Sequence, residues 1–434
     1  MSIDPNLAKP FNPRVNRTVL DNGMVVLTLE NPAADIVAGR IFVRVGSRYE
    51  APERSGVSHL LTAVLTKGTA RLSSMEIAER VESVGASLGT DSAPDYCLLS
   101  LKTVARDFPE MLELAAELLR SPSFPEAEVE LEQRLTLQGI RSMQEQPFSI
   151  AQKQLRQAMY GNHPYAMSGL GTEETVSQLN RDALLHHHQT YFRPDNMVVS
   201  IVGRITSEEA IALVEQAFGD WQLPQHEGQS IPLPTMQVPP VVSYPHKAVT
   251  AQDTQQAIVM LGYLAPPVRS QDAMPLKLLN TYLGNGLSSR LFVELREKQG
   301  LAYEVSAYYP TRLGTSQFVA YMGTAPGNVA IAIDGLHHEV SRLCSEPLTP
   351  DELQSSKNKL LGQYALGKQT NSQIAQLYGW YETLGLGIDY DTQFQTAIAA
   401  VTTEAAQAAA QRHFTEPYIS LVGPEAAVQA SVKA

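Results

Sequence analysis

Residues 56–69 read GVSHLLTAVLTKGT. Val57, Leu60, Leu61, Val64 and Leu65 recur at helical spacing, which predicts a helix with a broad buried face, stopped at Lys67-Gly68. A lone His59 on such a face reads most simply as a structural histidine. Around this helix, MVVLTLE (24–30) and IVAGRIFVRVGS (36–47) are β-branched or alternating and predict two adjacent strands. SSMEIAERVESVG (73–85) predicts a second helix, with Ser73 or Ser74 as N-cap and Gly85 as C-cap. DYCLLSLKTVA (95–105) predicts a strand and PEMLELAAELLRS (109–121) a strongly amphipathic helix. Strand pairs alternating with helices give an α+β order.

The chain then repeats itself. YFRPDNMVVSIVG (191–203) is echoed by HFTEPYISLVG (413–423), and SPSFPEAEVELEQRL (121–135) by SEPLTPDELQSSKNKL (345–360). Ser74 and Gly85 are echoed more faintly by Ser289 and Gly300. The offsets are 222, 225 and 215, all near half of the 434 residues. Three echoes in one order predict two homologous α/β-roll domains arising by internal duplication, each pairing a mixed sheet with helices on one side. The stretch DWQLPQHEGQSIPLPTMQVPP (220–240) lacks periodicity and reads as the connection. The expected division is 1–225, a linker over 226–240, and 241–434.

A net charge of −12 repels phosphate backbones, so nucleic-acid binding is not expected. Cys97 and Cys344 form neither a disulfide framework nor a CxxC metal site and read as buried small side chains in a reducing compartment. The N-terminal MSIDPNLAKPFNPRVNRTVL lacks the apolar core of a signal peptide. No run is apolar enough to cross a membrane, so a cytoplasmic location is expected. His186, His187 and His188 point about 100° apart on a helix and cannot share one metal; they read as a polar face. His337 and His338 fail for the same reason. No Walker or dinucleotide motif follows a strand, and no GxSxG elbow supports a serine hydrolase.

GVSHLLTAVLTKGT resembles the active-site helix of the pitrilysin-type, or insulinase-type, metallopeptidases. Their pattern is Gly-x-x-His-x-x-Glu-His, an apolar stretch, then Lys-Gly-Thr. In that pattern two histidines one turn apart bind Zn²⁺, and the Glu between them acts on the zinc-bound water as general base. Here His59 stands at the first ligand, Thr62 at the base and Ala63 at the second ligand. The third ligand, a Glu on a later helix, falls in register at Gly139. Gly56, Lys67, Gly68 and Thr69 all keep the family pattern, so the departures are not a misalignment. The resemblance extends over LDNGMVVL (20–27), GNHPYAMSGLGTEETVSQL (161–179) and essentially the whole chain.

The segment GNGLSSRLFVELREKQGLAYEV (284–305) has a plain reading as a helix with a serine N-cap and Gly300 as C-cap, with Arg290 structural. It also resembles the family's C-terminal signature, in which an Arg near a helix end is followed seven residues later by a Tyr. Arg296 and Tyr303 keep that spacing. The resemblance implies that this pair binds substrate, holding a peptide carbonyl and its developing oxyanion. The long glycine-rich loop of the mitochondrial non-catalytic subunit is absent, with only Gly284 and Gly286 standing there.

Zinc positions erased and an Arg–Tyr pair kept is the pattern of the non-catalytic subunit in two-chain members such as mitochondrial processing peptidase. The resemblance therefore implies a chain that binds no metal itself, a homologous zinc-bearing partner in a heterodimer, and a peptide or unfolded segment as substrate. It leaves open a structural or peptide-binding protein with no catalytic partner, and a homodimer when the chain is alone.

Overall fold

The computed structural model describes residues 14–226 and 229–432. Most of the N-terminal stretch read above for a signal peptide lies outside them. Among the described residues no helix is long and apolar enough to cross a membrane.

The first half supplies strands β1 (Asn16–Val19), β2 (Val25–Glu30), β3 (Ile36–Val43), β4 (Ser87–Ser92), β5 (Cys97–Val104) and β6 (Met197–Gly203). They lie in the order β1-β2-β6-β3-β5-β4. The connection carries a small hairpin, β7 (Gln225–His226) and β8 (Gln229–Ser230). The second half supplies β9 (Lys247–Ala251), β10 (Ala257–Ala265), β11 (Ala302–Tyr308), β12 (Ser316–Thr324) and β13 (Tyr418–Gly423), in the order β11-β12-β10-β13-β9. Apart from β1 the two sheets have one topology. In each, a single parallel pair (β2 with β6, β9 with β13) adjoins an otherwise antiparallel ladder.

The helices repeat as well. The first half has α1 (Val57–Val64), α2 (Ser74–Ser83), α3 (Phe108–Arg120), α4 (Glu126–Glu145), α5 (Pro147–Tyr160), α6 (Glu173–Gln178), α7 (Arg181–Tyr191) and α8 (Ser207–Phe218). The second has α9 (Ala273–Gly284), a π-helix (Phe292–Lys298), α10 (Val329–Ser345), α11 (Pro350–Leu366), α12 (Asn371–Thr383), α13 (Tyr390–Ala400), α14 (Thr403–His413) and α15 (Glu425–Val432). All three sequence echoes fall on equivalent elements. The first pair is β6 and β13, the second starts α4 and α11, and the third flanks α2 and the π-helix. Pro125 is the N-cap of α4 and Pro350 opens α11, behind a Thr349–Glu352 capping box.

Two expectations change. The strands expected to be adjacent, β2 and β3, are separated by β6, which runs parallel to one and antiparallel to the other. Every residue of β6 is buried, so its continuous apolar run suits the centre of the sheet. Nor do helices cover only one face of each sheet. The second face is covered by a helix from the other half. Ile374, Ala375 and Tyr378 of α12 pack on Val25, Leu27, Phe42 and Val198 of the first sheet. Leu155 and Met159 of α5 pack on Met260, Val319 and Val422 of the second. The halves are thus clasped by a reciprocal exchange of one helix each.

The clasp needs a close approach at Gly379, where a Cβ would stand 2.3 Å from Cε2 of the Phe42 ring. That ring is fully buried and cannot swing away. Gly379→Val is expected to lower stability by about 1–3 kcal/mol, read from the urea midpoint. Gly362→Val on α11, where a Cβ meets nothing within 4 Å, serves as the control and should be neutral or stabilising. Equal midpoints for the two variants would remove the clasp argument.

Candidate functional site

The α1 helix is entered through Gly56, at φ 95°, where a Cβ would lie 2.6 Å from the carbonyl oxygen of Leu170. A buried carboxylate serves as its cap. Glu50 accepts the amide protons of Gly56 at 2.7 Å and Ser58 at 2.8 Å, satisfying two donors of the first turn. The Lys-Gly-Thr corner has structural work as well. Lys67 pairs with Glu132 of α4 at 3.0 Å, and Thr69 donates to Glu117 of α3 at 2.6 Å. These contacts account for the flanking residues independently of any metal.

The zinc positions do not fit zinc. Thr62 is buried, and its hydroxyl lies 3.0 Å and 2.9 Å from the carbonyls of Ser58 and His59 in its own helix. Ala63 and Gly139 carry no donor atoms. At Gly139 a Cβ would meet nothing within 4 Å, so room for a side chain is present but the ligand is not. His59 is half-buried, and burial pulls its pKa below the usual value against the opposing charges of Asp91 and Glu132. Among the described residues no group of three or more His, Cys, Asp or Glu is arranged to hold a metal ion.

The histidine run departs from the expected polar face. His187 and His188 on α7 are buried. His187 Nε2 lies 3.3 Å from Ser58 Oγ of α1, and His188 Nε2 lies 2.8 Å from the carbonyl of Leu119. A carbonyl only accepts, so His188 carries its proton on Nε2. The sequence reading missed Glu50 and His187 as partners of α1. Asn180 caps α7, and the face that the helix turns inward is Leu184, His187 and His188. Cys97 is buried as expected, whereas Cys344 is only half-buried.

Arg296 and Tyr303 lie on two consecutive irregular elements. The segment expected as a serine-capped helix is a π-helix; no side chain caps it, and Ser289 Oγ is buried without a partner. π-Turns are rare and cluster at functional sites. Arg296 is exposed, and its guanidinium lies over the Phe292 ring at 5.0 Å from the centroid. On the edge strand β11, Ala302 pairs with Thr324 and Glu304 with Gly323, so Tyr303 is the extra residue of a β-bulge. Tyr303 is 57% exposed. Neither side chain makes a hydrogen bond or ion pair with another described residue. Arg290, by contrast, is buried and ion-paired with Glu339 at 2.6 Å.

The first half shows what the same positions look like without this device. At the offset of 215, Arg296 and Tyr303 correspond to Val81 and Leu88. Val81 is buried and Leu88 packs against the same core. The elements there are regular: α2 is an α-helix with a Ser73–Glu76 capping box, and β4 pairs with β5 without a break.

Comparison with known proteins agrees with this duplicated architecture. The family described as "Insulinase (Peptidase family M16)" matches residues 25–173, and "Peptidase M16 inactive domain" matches residues 178–360. The chain belongs to the M16 peptidase family. Its relatives include "Uncharacterized zinc protease YmxG" of Bacillus subtilis, 29% identical over 94% of this chain and 98% of that protein. Another is "Uncharacterized zinc protease ML0855" of Mycobacterium leprae, 29% identical over 95% of this chain and 92% of that protein. Among solved structures, an M16 inactive domain from Pseudomonas fluorescens superposes with a TM-score of 0.87 at 24% identity. It covers 94% of this chain and 98% of its own. A protease from Helicobacter pylori superposes with a TM-score of 0.85 at 22% identity, covering 95% of this chain and all of its own. At those identities the two structures bear on the fold alone. Within the M16 frame, the degenerate helix lies in the insulinase match, and Arg296 and Tyr303 lie in the inactive-domain match.

Proposed function

We propose that this chain is the non-catalytic, substrate-positioning subunit of a two-chain zinc metalloendopeptidase that acts on peptides or unfolded segments. The observation that carries the reading is the state of Arg296 and Tyr303. Both are exposed and unpartnered, on a π-helix and a β-bulge that their counterparts in the first half lack. A guanidinium without a carboxylate offers a fixed fork of donors, and a free phenol offers one more. Together they suit a peptide carbonyl and the negative charge that grows on it. The zinc positions offer no base and no ligand set, so the metal belongs to a homologous partner subunit, in a heterodimer placed in the cytoplasm. Zinc protease names among the relatives support the peptidase setting.

Purified alone, the chain is expected to hold well under one zinc per chain by metal analysis and to cleave no unfolded peptide. Mixed with an M16 subunit from the same organism that carries the complete zinc motif, it should restore chelator-sensitive cleavage. Chelator-sensitive cleavage by the pure chain would overturn the reading. Failure of every such mixture to cleave would leave the structural or peptide-binding alternative in its place.

A further inference from the structure

The elbow between α4 and α5, with the segment 166–173, encloses a cavity of about 470 Å³. That is within the range of ligand pockets, about 300–1,000 Å³. Its wall is apolar at Ile140, Met143, Ile150 and Met167 and carries two cations, Lys153 and Arg156. Glu173, the carboxylate in this wall, is already engaged by Arg141 at 2.9 Å and by Gln144 at 3.4 Å.

Arg156 contrasts with Arg193 and Arg290, the two most deeply buried arginines. Arg193 and Arg290 each hold a carboxylate at 2.6 Å. The Arg156 guanidinium makes no hydrogen bond or ion pair among the described residues, and its Nε is buried without a partner. Its titratable neighbours are two neutral phenols, Tyr308 and Tyr160, and a second cation, Arg312, and burial pulls its pKa below the usual value. Lys153 likewise has no ion-pair partner among the described residues. Carboxylates are not scarce, since the chain has 45 acidic residues against 33 basic ones. A guanidinium withdrawn from water and left unpaired is the arrangement in which an external anion is favoured.

We infer that this cavity receives an acidic side chain of a bound peptide. The carboxylate lies on Arg156 and Lys153, and the flanking apolar residues lie against Ile140, Met143, Ile150 and Met167. The inference rests on the substrate-positioning reading and adds a preference to it: segments in which Glu or Asp stands among apolar residues.

The test uses the full chain alone, without a zinc subunit. Two labelled decapeptides, acetylated and amidated so that no terminal charge contributes, carry Leu-Glu-Phe or Leu-Gln-Phe at their centre. Anisotropy titration should show the Glu peptide binding at least about tenfold more tightly, as expected for a charge-assisted contact. Arg156→Met should abolish the preference and leave the melting temperature unchanged or higher, because no partner is lost. Equal binding of the two peptides, no binding of either, or a preference that survives Arg156→Met would overturn the inference. If Arg156→Met fails to fold, Lys153→Glu on the exposed lysine decides it: the preference must reverse, and its persistence overturns the idea. Because cleavage plays no part, a Glu preference without rescue of any zinc subunit would sink the subunit reading while leaving the cavity assignment. Rescue without the preference would do the opposite.

Discussion

Tyr303→Phe is expected to lower cleavage by the mixed two-chain peptidase about 10²–10³-fold, with Arg296→Ala at least as severe. Removing one hydroxyl removes one donor to the oxyanion, a loss of about 2.7–4 kcal/mol of transition-state stabilisation. The fold should not register either change. Both side chains are exposed and touch no polar partner, so stability should stay within about 0.5 kcal/mol of the parent chain. Arg296→Lys separates geometry from charge, because an ammonium keeps the charge and loses the planar fork. It should recover only part of the lost rate. Lys298, two positions on and paired with Glu294 at 2.9 Å, is the control; Lys298→Ala should leave cleavage unchanged. A fall confined to KM would assign the pair to ground-state binding. Full activity in Tyr303→Phe and Arg296→Ala would make the pair inherited scaffold.

The parts of this molecule that were legible from sequence are those encoded over short range. The buried stripe of α1, the serine N-cap of α2 and the apolar run of β6 each fit within about a dozen residues, where helical and strand periods can be read. The echo of 191–203 in 413–423 then supplied the duplication, because both copies build the strand that joins the parallel pair to the antiparallel ladder. What was not legible depends on distance. Nothing in Val25–Glu30 or Ile36–Val43 says that Met197–Gly203 will insert between them; that order is decided by which strand is buried on both faces. The exchanged helices are similar, since α5 and α12 carry an ordinary amphipathic pattern and find their partner sheet only across the halves. Arg296 and Tyr303 were singled out only through their resemblance to the family's Arg–Tyr signature. The π-helix and the β-bulge beneath them were not legible, because each concerns one extra residue in a backbone turn or ladder rather than a composition. His187 and His188 were misjudged for another reason. Three consecutive polar residues look solvated, yet His187 and His188 lie on the buried face of α7 with Leu184.

Those two histidines give the chain an acid sensitivity centred on α1. Burial depresses His187 to about 3, helped by the positive charges of His186, His188 and Arg54, and depresses His188 to about 4. An unfolded imidazole titrates near about 6.5, so below that pH the unfolded chain takes up protons that the folded chain refuses. The stability they contribute is therefore intact above about 6.5 and is lost as pH falls towards about 4 and about 3. At pH 5 each should have withdrawn about 2 kcal/mol, or about 4 kcal/mol together. Glu50 works in the opposite sense. Burial raises its carboxyl despite the two amides that it accepts, so the folded chain binds that proton first, a contribution present at low pH and lost as pH rises. Subtracting it requires a variant in which only the histidines change. Between pH 7 and 5 the parent chain should lose about 4 kcal/mol more than His187→Gln/His188→Gln in urea unfolding; equal losses would remove the histidines from the account. Loosening should begin at α1, because Ser58 of that helix lies against His187 and Glu50 caps its first turn. Amides of Val57–Val64 should thus lose hydrogen-exchange protection at pH 5 before those of α12, whose contacts include no histidine among the residues that cover the first sheet. The α1 helix would then be held by a buried carboxylate and a neutral imidazole, and would fail first when that imidazole is charged.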